Sequence, residues 1–251
     1  MDTVPVRRQL WQRLLAEFIG TFTLVFAGCG AVMSNAHSGG IVSHVGVALA
    51  FGLALLTMIN ALGPVSAAHF NPAVTIGFCV AKKFPWKFMP AYAIAQCLGA
   101  ITASGLQSVL WGASAKAVAF GATMPSDGVS MMNAAILEVI ATFFLMMVVM
   151  GVATDKPAGS GVPGLSIGLT VTMCALFVGP MTGGSMNPAR SIGPALFAGG
   201  DALKMIPLYI VAPIIGAALA AVVYEMMRDG TAHSQGAPGD IEEAIRLEHA
   251  A

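Results

Sequence analysis

Two copies of Asn-Pro-Ala are the part of the sequence whose residue types and spacing indicate a chemical role. The first lies in HFNPAVTIG, which begins at His69, and the second in SMNPARSIG, which begins at Ser185. Asparagine is a strong helix N-cap and proline suits the first helical position, so each copy predicts a helix start. Each asparagine would cap its own helix through the side-chain oxygen and keep NH2 donors for a passing molecule. The six motif residues are Asn71, Pro72, Ala73, Asn187, Pro188 and Ala189.

Few ionisable side chains lie within the apolar sequence: Glu17, Glu138, His69 and Arg190. An enzyme would need a nucleophile with a base, or a ligand cluster, and these four residues lack such spacing. The four cysteines sit in apolar runs without CxxC spacing, which is typical of small core residues and not of a metal or redox site. The sequence therefore predicts no catalytic residue, no metal site and no cofactor.

The composition indicates an integral membrane protein. Hydrophobic residues make up 57% of the chain, charged residues 10%, and the mean hydropathy is +0.80. The formal net charge is zero, which argues against a nucleic-acid partner. Apolar stretches of about 20 residues, the length that spans a bilayer, lie at 14–33, 43–62, 86–110, 133–153, 164–180 and 205–226.

Two further apolar segments, 72–81 and 188–198, are too short to cross and follow the two motifs directly. Asn71 and Asn187 are 116 residues apart, as are Gly52 and Gly168, so the chain is an internal duplication. Each half has three spans and one half-helix, and an odd number of crossings inverts the second half relative to the first. The predicted fold class is all-α: six transmembrane helices and two re-entrant half-helices in an inverted repeat.

The distribution of basic residues predicts that both termini are cytoplasmic. Those on the cytoplasmic side would be Arg7, Arg8, Arg13, Lys82, Lys83, Lys87, Lys156, Arg228 and Arg246, against Lys116, Arg190 and Lys204 on the other side. The predicted segments are a cytoplasmic N-terminus (1–13), a first repeat (14–110), an extracellular connecting loop (111–132), a second repeat (133–226) and a polar cytoplasmic tail (227–251).

Inversion brings the positive N-terminal ends of the two half-helices face to face near the bilayer centre. Irregular backbone at that depth is tolerated where it lines a water-filled cavity, so a pore is predicted. The two dipole ends would disfavour cations and protons.

The stretches SAAHFNPAVT, GGSMNPARSIGPA, AEFIGTF and AQCLGA resemble the aquaporin, or major intrinsic protein, family, and the similarity runs from about Leu14 to Met226. The resemblance implies a homotetramer in the plasma membrane with one hourglass pore per subunit. It implies passage of water or small uncharged solutes down their gradients, without catalysis or a cofactor.

The resemblance also bears on the ionisable residues. Glu17 and Glu138 are a pair related by the repeat and could form a proton relay. The resemblance to the family favours the other interpretation, in which each carboxylate accepts hydrogen bonds from a re-entrant loop and holds it. His69 could line the lumen or brace the loop. For Arg190, an always-charged guanidinium in a half-helix indicates a lumen-facing donor that orients solutes and repels cations.

Counting from the motifs, the family implies a selectivity filter of Phe51, Ala175, Gly184 and Arg190. Water-selective members usually have histidine where this chain has Ala175, and glycerol channels usually pair bulky aromatics with the arginine. This chain does neither, and GGSMNPARS with Gly184 is similar to the nodulin-type intrinsic proteins, which pass metalloid hydroxides such as boric or arsenious acid besides glycerol or urea. The family members with the widest filters have a small residue at this position, whereas this chain has Phe51.

The sequence leaves several functions open. The predicted function is a passive channel for water, glycerol or urea, and metalloid hydroxides that excludes protons and ions. A mainly water-selective channel is an alternative. A coupled transporter or intramembrane enzyme, and a structural or junctional membrane protein with little conductance, are alternatives of other classes.

Overall fold

The computed structural model of the protein describes residues 8–155 and 162–228, and these residues form helices joined by turns and loops. The helices are α1 (Leu10–His37), α2 (Ser43–Ser66), α3 (Pro72–Val80), α4 (Met89–Trp111), α5 (Ala113–Ala117), α6 (Met131–Thr154), α7 (Pro163–Thr182), α8 (Pro188–Ala198) and α9 (Gly200–Met227). Helices α1, α2, α6, α7 and α9, and α4 with the 3₁₀ turn before it, are long and apolar enough to cross a membrane. The all-α class and the six predicted spans are confirmed.

The long helices extend past the predicted apolar spans at most of their ends. Helix α9, for example, begins at Gly200, five residues before the predicted start at 205. Its first turn contains Asp201 and Lys204, which form an exposed ion pair at 2.8 Å. Hydropathy detects the apolar part of such a helix and not its polar first turn, because helical structure does not end where the apolar residues end.

The predicted connecting loop 111–132 contains two short helical elements, α5 and a 3₁₀ turn at Ala119–Gly121. The polar tail beyond residue 228 and the basic residues Arg7, Lys156 and Arg246 lie outside the described residues.

Packing of the helices repeats between the two halves. In the first half α1 packs on α2 and α4, and in the second half α6 packs on α7 and α9. Each half-helix also packs on a long helix of the other half, α3 on α9 and α8 on α4. The two halves are therefore interlocked. Helices α2 and α7, one from each half, also pack on each other.

Glycines allow the closest helix crossings. A side-chain carbon on Gly99 of α4 would overlap the carbonyl of Phe18 on α1, and one on Gly216 of α9 would overlap the carbonyl of Val139 on α6. These two contacts occupy equivalent places in the two halves. Small residues permit such close backbone approach between membrane helices, where packing rather than the hydrophobic effect drives association.

Candidate pore and selectivity filter

Both half-helices are capped by the asparagines of the motifs. Asn71 Oδ1 accepts a hydrogen bond from the backbone N–H of Ala73 at 2.9 Å. Asn187 Oδ1 accepts from the N–H groups of Ala189 and Arg190 at 3.0 and 3.3 Å. In each half-helix proline is the first helical residue, where its missing N–H costs no hydrogen bond.

The two caps are joined across the repeat. Asn71 Nδ2 donates to the carbonyl oxygen of Met186 at 2.7 Å, and Asn187 Nδ2 donates to that of Phe70 at 2.9 Å. The N-terminal ends of α3 and α8 therefore meet, as the repeat predicts. One hydrogen of each amide is used in these cross-bonds, so each asparagine has one N–H, rather than two, for a molecule beside it.

The re-entrant loops before the half-helices contain residues in the left-handed region. Ala68 and Phe70 have φ of 52° and 50° in the first loop, and Gly184 and Met186 have φ of 61° and 53° in the second. These pairs are each 116 residues apart, so the duplication extends to the backbone conformation. Non-glycine residues in this region are strained and persist where the surroundings hold them.

The buried carboxylates supply that support. Glu17 accepts from the N–H groups of His69 and Phe70 at 3.0 and 2.7 Å and from the Ser66 hydroxyl and Gln96 amide at 2.6 and 2.7 Å. Both carboxylate oxygens are thus bonded to the first re-entrant loop or to α4. This arrangement favours the bracing role for Glu17 over a proton relay.

Glu138 holds the second loop in the same way. It accepts from the N–H groups of Ser185 and Met186 at 2.9 and 2.8 Å and from the hydroxyl of Thr182 at 2.6 Å. Both glutamates have no exposed surface.

Two tyrosines complete the bracing and were missed by the sequence analysis. Tyr92 donates to the carbonyl of Ser66 at 3.0 Å, and Tyr209 donates to that of Thr182 at 2.6 Å. The repeat carried a signal for them, because the two tyrosines are 117 residues apart in similar stretches that begin at prolines.

His69 packs into an aromatic cluster beside the first loop. Its ring centroid lies 4.6 Å from that of Phe78, 4.9 Å from Phe84 and 5.2 Å from Tyr92, and Nδ1 lies 3.1 Å from the Thr75 hydroxyl. The side chain is 5% exposed. Of the two roles left open for His69, these contacts favour bracing.

Arg190 and Phe51 are brought together, as expected for two filter residues. The guanidinium carbon lies 4.7 Å from the centroid of the Phe51 ring, and Nη1 donates to the carbonyl of Gly121 at 2.8 Å and to Cys29 Sγ at 3.4 Å. Arg190 is 3% exposed, and the part of the chain that the structure describes places no carboxylate within 4.0 Å of it. The groups in direct contact with the guanidinium are therefore neutral.

The other two expected filter residues carry little or no side chain. Ala175 lies on α7, and Gly184 follows α7 and packs against Gly179 and Val178 of that helix. The Phe51 ring in turn packs closely on Gly28 of α1, where a side-chain carbon would overlap it. Gly28, Cys29 and Gly121 were missed, since neither the motifs nor hydropathy distinguishes them from neighbouring residues.

A chain of hydroxyl groups connects the loop after α5 to the second motif. Thr123 donates to Ser191 at 2.8 Å, the Ser191 and Ser185 hydroxyls lie 2.6 Å apart, and Ser185 Oγ donates to the carbonyl of Asn187 at 3.1 Å. This loop thus contacts both the cap and the arginine of α8. Within residues 8–155 and 162–228, no three histidine, cysteine or acidic side chains lie close enough to hold a metal ion.

Six spanning helices around two half-helices that meet at their capped N-termini define a class of membrane channel. Residues 5–224 match the family model described as "Major intrinsic protein", and the chain belongs to this family, whose members are channels and not enzymes.

Relatives include aquaporin NIP1-1 of Zea mays, 44% identical over 217 residues that cover 86% of this chain and 75% of the relative. Aquaporin NIP3-1 of Arabidopsis thaliana is 45% identical over 222 residues that cover 86% and 68%. Among solved structures, the aquaglyceroporin from Plasmodium falciparum is similar with a TM-score of 0.79 and 28% identity, over 86% of this chain and 96% of that one.

Proposed function

We propose that this channel passes small uncharged solutes down their gradients, namely water, glycerol or urea, and metalloid hydroxides such as boric or arsenious acid, and that it excludes protons and ions. The observation that carries the proposal is the junction of the two half-helices, where Asn71 and Asn187 each cap their own half-helix and donate to the re-entrant loop of the other half. Two positive helix ends and two amide donors at one point suit neutral solutes with oxygen acceptors.

Exclusion of ions is supported by the surroundings of Arg190. No carboxylate pairs directly with its guanidinium among the described residues, so its positive charge would repel a cation in the lumen. The glutamates of the two halves are engaged in bracing the loops, which leaves them unsuited to carry protons through a coupled transport cycle.

A filter wide enough for solutes larger than water is supported by Ala175 and Gly184. Where a ring would narrow the lumen, these residues contribute a methyl group and a hydrogen atom. The Phe51 ring and the Arg190 guanidinium favour the alternative, a mainly water-selective channel, because these two large groups are stacked on each other. Which solutes pass depends on whether the small side chains of Ala175 and Gly184 widen the filter more than Phe51 and Arg190 narrow it.

Assembly and orientation belong to the proposal as well. We infer a homotetramer in the plasma membrane, because this is the assembly that the family resemblance implies. Apolar side chains such as Leu53, Ile94 and Val211 are exposed on the long helices and suit contact with lipid or with a second subunit. Cytoplasmic termini are supported by Lys83 and Arg228, which both pair with Glu225 and so lie at the same end of the bundle.

Stopped-flow light scattering on lipid vesicles tests the function. Vesicles containing the protein should shrink faster than empty vesicles in an osmotic gradient and should then reswell with glycerol, urea, boric acid or arsenious acid. A proton-sensitive dye inside the vesicles should report no added leak. Permeability equal to that of empty vesicles would indicate the structural alternative, and flux that depends on a proton gradient would indicate coupled transport.

A further inference from the structure

The guanidinium of Arg190 contacts a side chain that the motifs do not account for, the thiol of Cys29 on α1. Nη1 carries two hydrogens, and its two acceptors are the Gly121 carbonyl at 2.8 Å and Cys29 Sγ at 3.4 Å. We propose that Cys29 is a positioning residue for Arg190 and thereby helps to set which solutes the channel passes. This inference rests on the proposed function, in which Arg190 faces the lumen.

The thiol is enclosed on all sides by the groups that it positions. Cys29 has no exposed surface, and its Sγ lies 3.8 Å from the Gly121 carbonyl, to which it donates. Gly121 has φ of 67°, and a side-chain carbon there would press on Cys29. Cys29, Gly121 and Nη1 of Arg190 therefore form a closed triangle, in which the thiol accepts from the arginine and donates to the carbonyl.

This triangle determines what the rest of the guanidinium can do. With both hydrogens of Nη1 engaged and the Phe51 ring 4.7 Å away, rotation of the planar group is opposed on two sides. Nε is buried and has no partner among the described residues. Nη2, which has no hydrogen-bond partner among the described residues and is not buried, is therefore the nitrogen left to bond a solute.

A neutral thiol suits this task better than a carboxylate would. It satisfies one N–H without compensating the charge, so Arg190 keeps its full positive charge at the filter. If the sulfur is removed, one hydrogen of Nη1 loses its acceptor in a buried place, and the guanidinium is expected to turn toward water in the lumen. The opening would then become narrower and less well defined.

The test uses substitutions that distinguish the effect of the hydrogen-bond acceptor from the effect of side-chain volume. Cys29→Val fills the space without accepting a hydrogen bond, Cys29→Ala removes both, and Cys29→Ser keeps an acceptor. Cys79→Val is the matched control, because Cys79 is 2% exposed and lies on α3. Water, glycerol and urea permeabilities are measured on the same vesicles and divided by the amount of inserted protein.

We expect Cys29→Val and Cys29→Ala to change the glycerol-to-water permeability ratio by about threefold to tenfold, the effect of one modest hydrogen bond on a barrier. Cys29→Ser should stay nearer the parent, and Cys79→Val should match it. If Cys29→Val does not insert into the membrane, Cys29→Ala decides, since it removes the acceptor without adding volume.

A double-mutant cycle with Arg190→Ala shows whether Cys29 acts through the arginine. The inference predicts that Cys29→Val has no further effect on the ratio once Arg190 is alanine. An equal effect of Cys29→Val with and without Arg190→Ala would overturn the inference. An unchanged permeability ratio in Cys29→Val, when Arg190→Ala does alter the ratio, would also overturn the inference but would leave the proposed function standing. If Arg190→Ala itself leaves the ratio and the ion exclusion unchanged, the filter assignment fails and the inference fails with it.

Discussion

Replacing Ala175 by histidine tests the filter most directly. Ala175 contributes one methyl group from α7, and we expect it to face the stacked pair of Phe51 and Arg190. An imidazole at residue 175 would fill part of the lumen beside the pair of Phe51 and Arg190 and add a hydrogen-bond donor. A solute such as glycerol must replace its hydration with bonds to the wall, and losing one of these without replacement costs about 1–3 kcal/mol, or roughly tenfold to a hundredfold in rate.

Water is affected less, because a single small molecule refits its hydrogen bonds to a narrower passage. We therefore expect Ala175→His to lower glycerol, urea and boric acid permeability by roughly tenfold or more relative to water. Stopped-flow light scattering on one vesicle preparation gives both permeabilities. Ala175→Leu is the control that narrows the passage without a donor, so a difference between the two variants isolates the hydrogen bond.

An unchanged solute-to-water ratio in Ala175→His, with normal insertion, would refute this reasoning. Residue 175 would then not line the filter, and the proposal of a broad neutral-solute channel would lose its main support.

Three further variants probe other parts of the pore. Asn187→Asp should lower solute flux at neutral pH, because a carboxylate replaces the amide that donates to Phe70; permeability equal to the parent's would contradict this. Gly28→Ala should push the Phe51 ring away from α1 and reduce glycerol more than water permeability, and Gly28→Ala combined with Phe51→Gly should restore glycerol passage. Glu17→Ala should lower the free energy of unfolding of the detergent-solubilised protein by at least about 3 kcal/mol, since four hydrogen bonds to a buried carboxylate are lost; Glu17→Gln, which keeps one of the two acceptor oxygens, should lose less, and equal losses would argue against the bracing role.

Much of the fold could be predicted because it rests on regular signals. Hydropathy identified the six spans, and the two Asn-Pro-Ala copies fixed the starts of both half-helices, which the structure places at Pro72 and Pro188. The separation of 116 residues then related one half to the other. These signals depend on local residue types, so a single sequence carries them.

The surroundings of the filter could not be predicted in the same way. Cys29 and Gly121 are 92 residues apart and belong to a spanning helix and to a loop without periodicity. Their contact with Arg190 depends on how α1, α8 and that loop fold together. No local sequence pattern predicts this contact. The repeat does not predict it either, because the two halves differ in the residues around Arg190.

We expect selectivity to depend on the part in which the two halves differ. The duplication supplies the frame twice: a capping asparagine, a bracing carboxylate and a tyrosine in each half. Counting back 116 residues from Arg190 gives Val74, a buried aliphatic residue of α3. Two equal halves would make a pore with the same constriction at both ends. Because only the second half-helix carries an arginine, we expect charge exclusion on one side of the junction only, and the residues that hold this arginine need no counterpart in the first half.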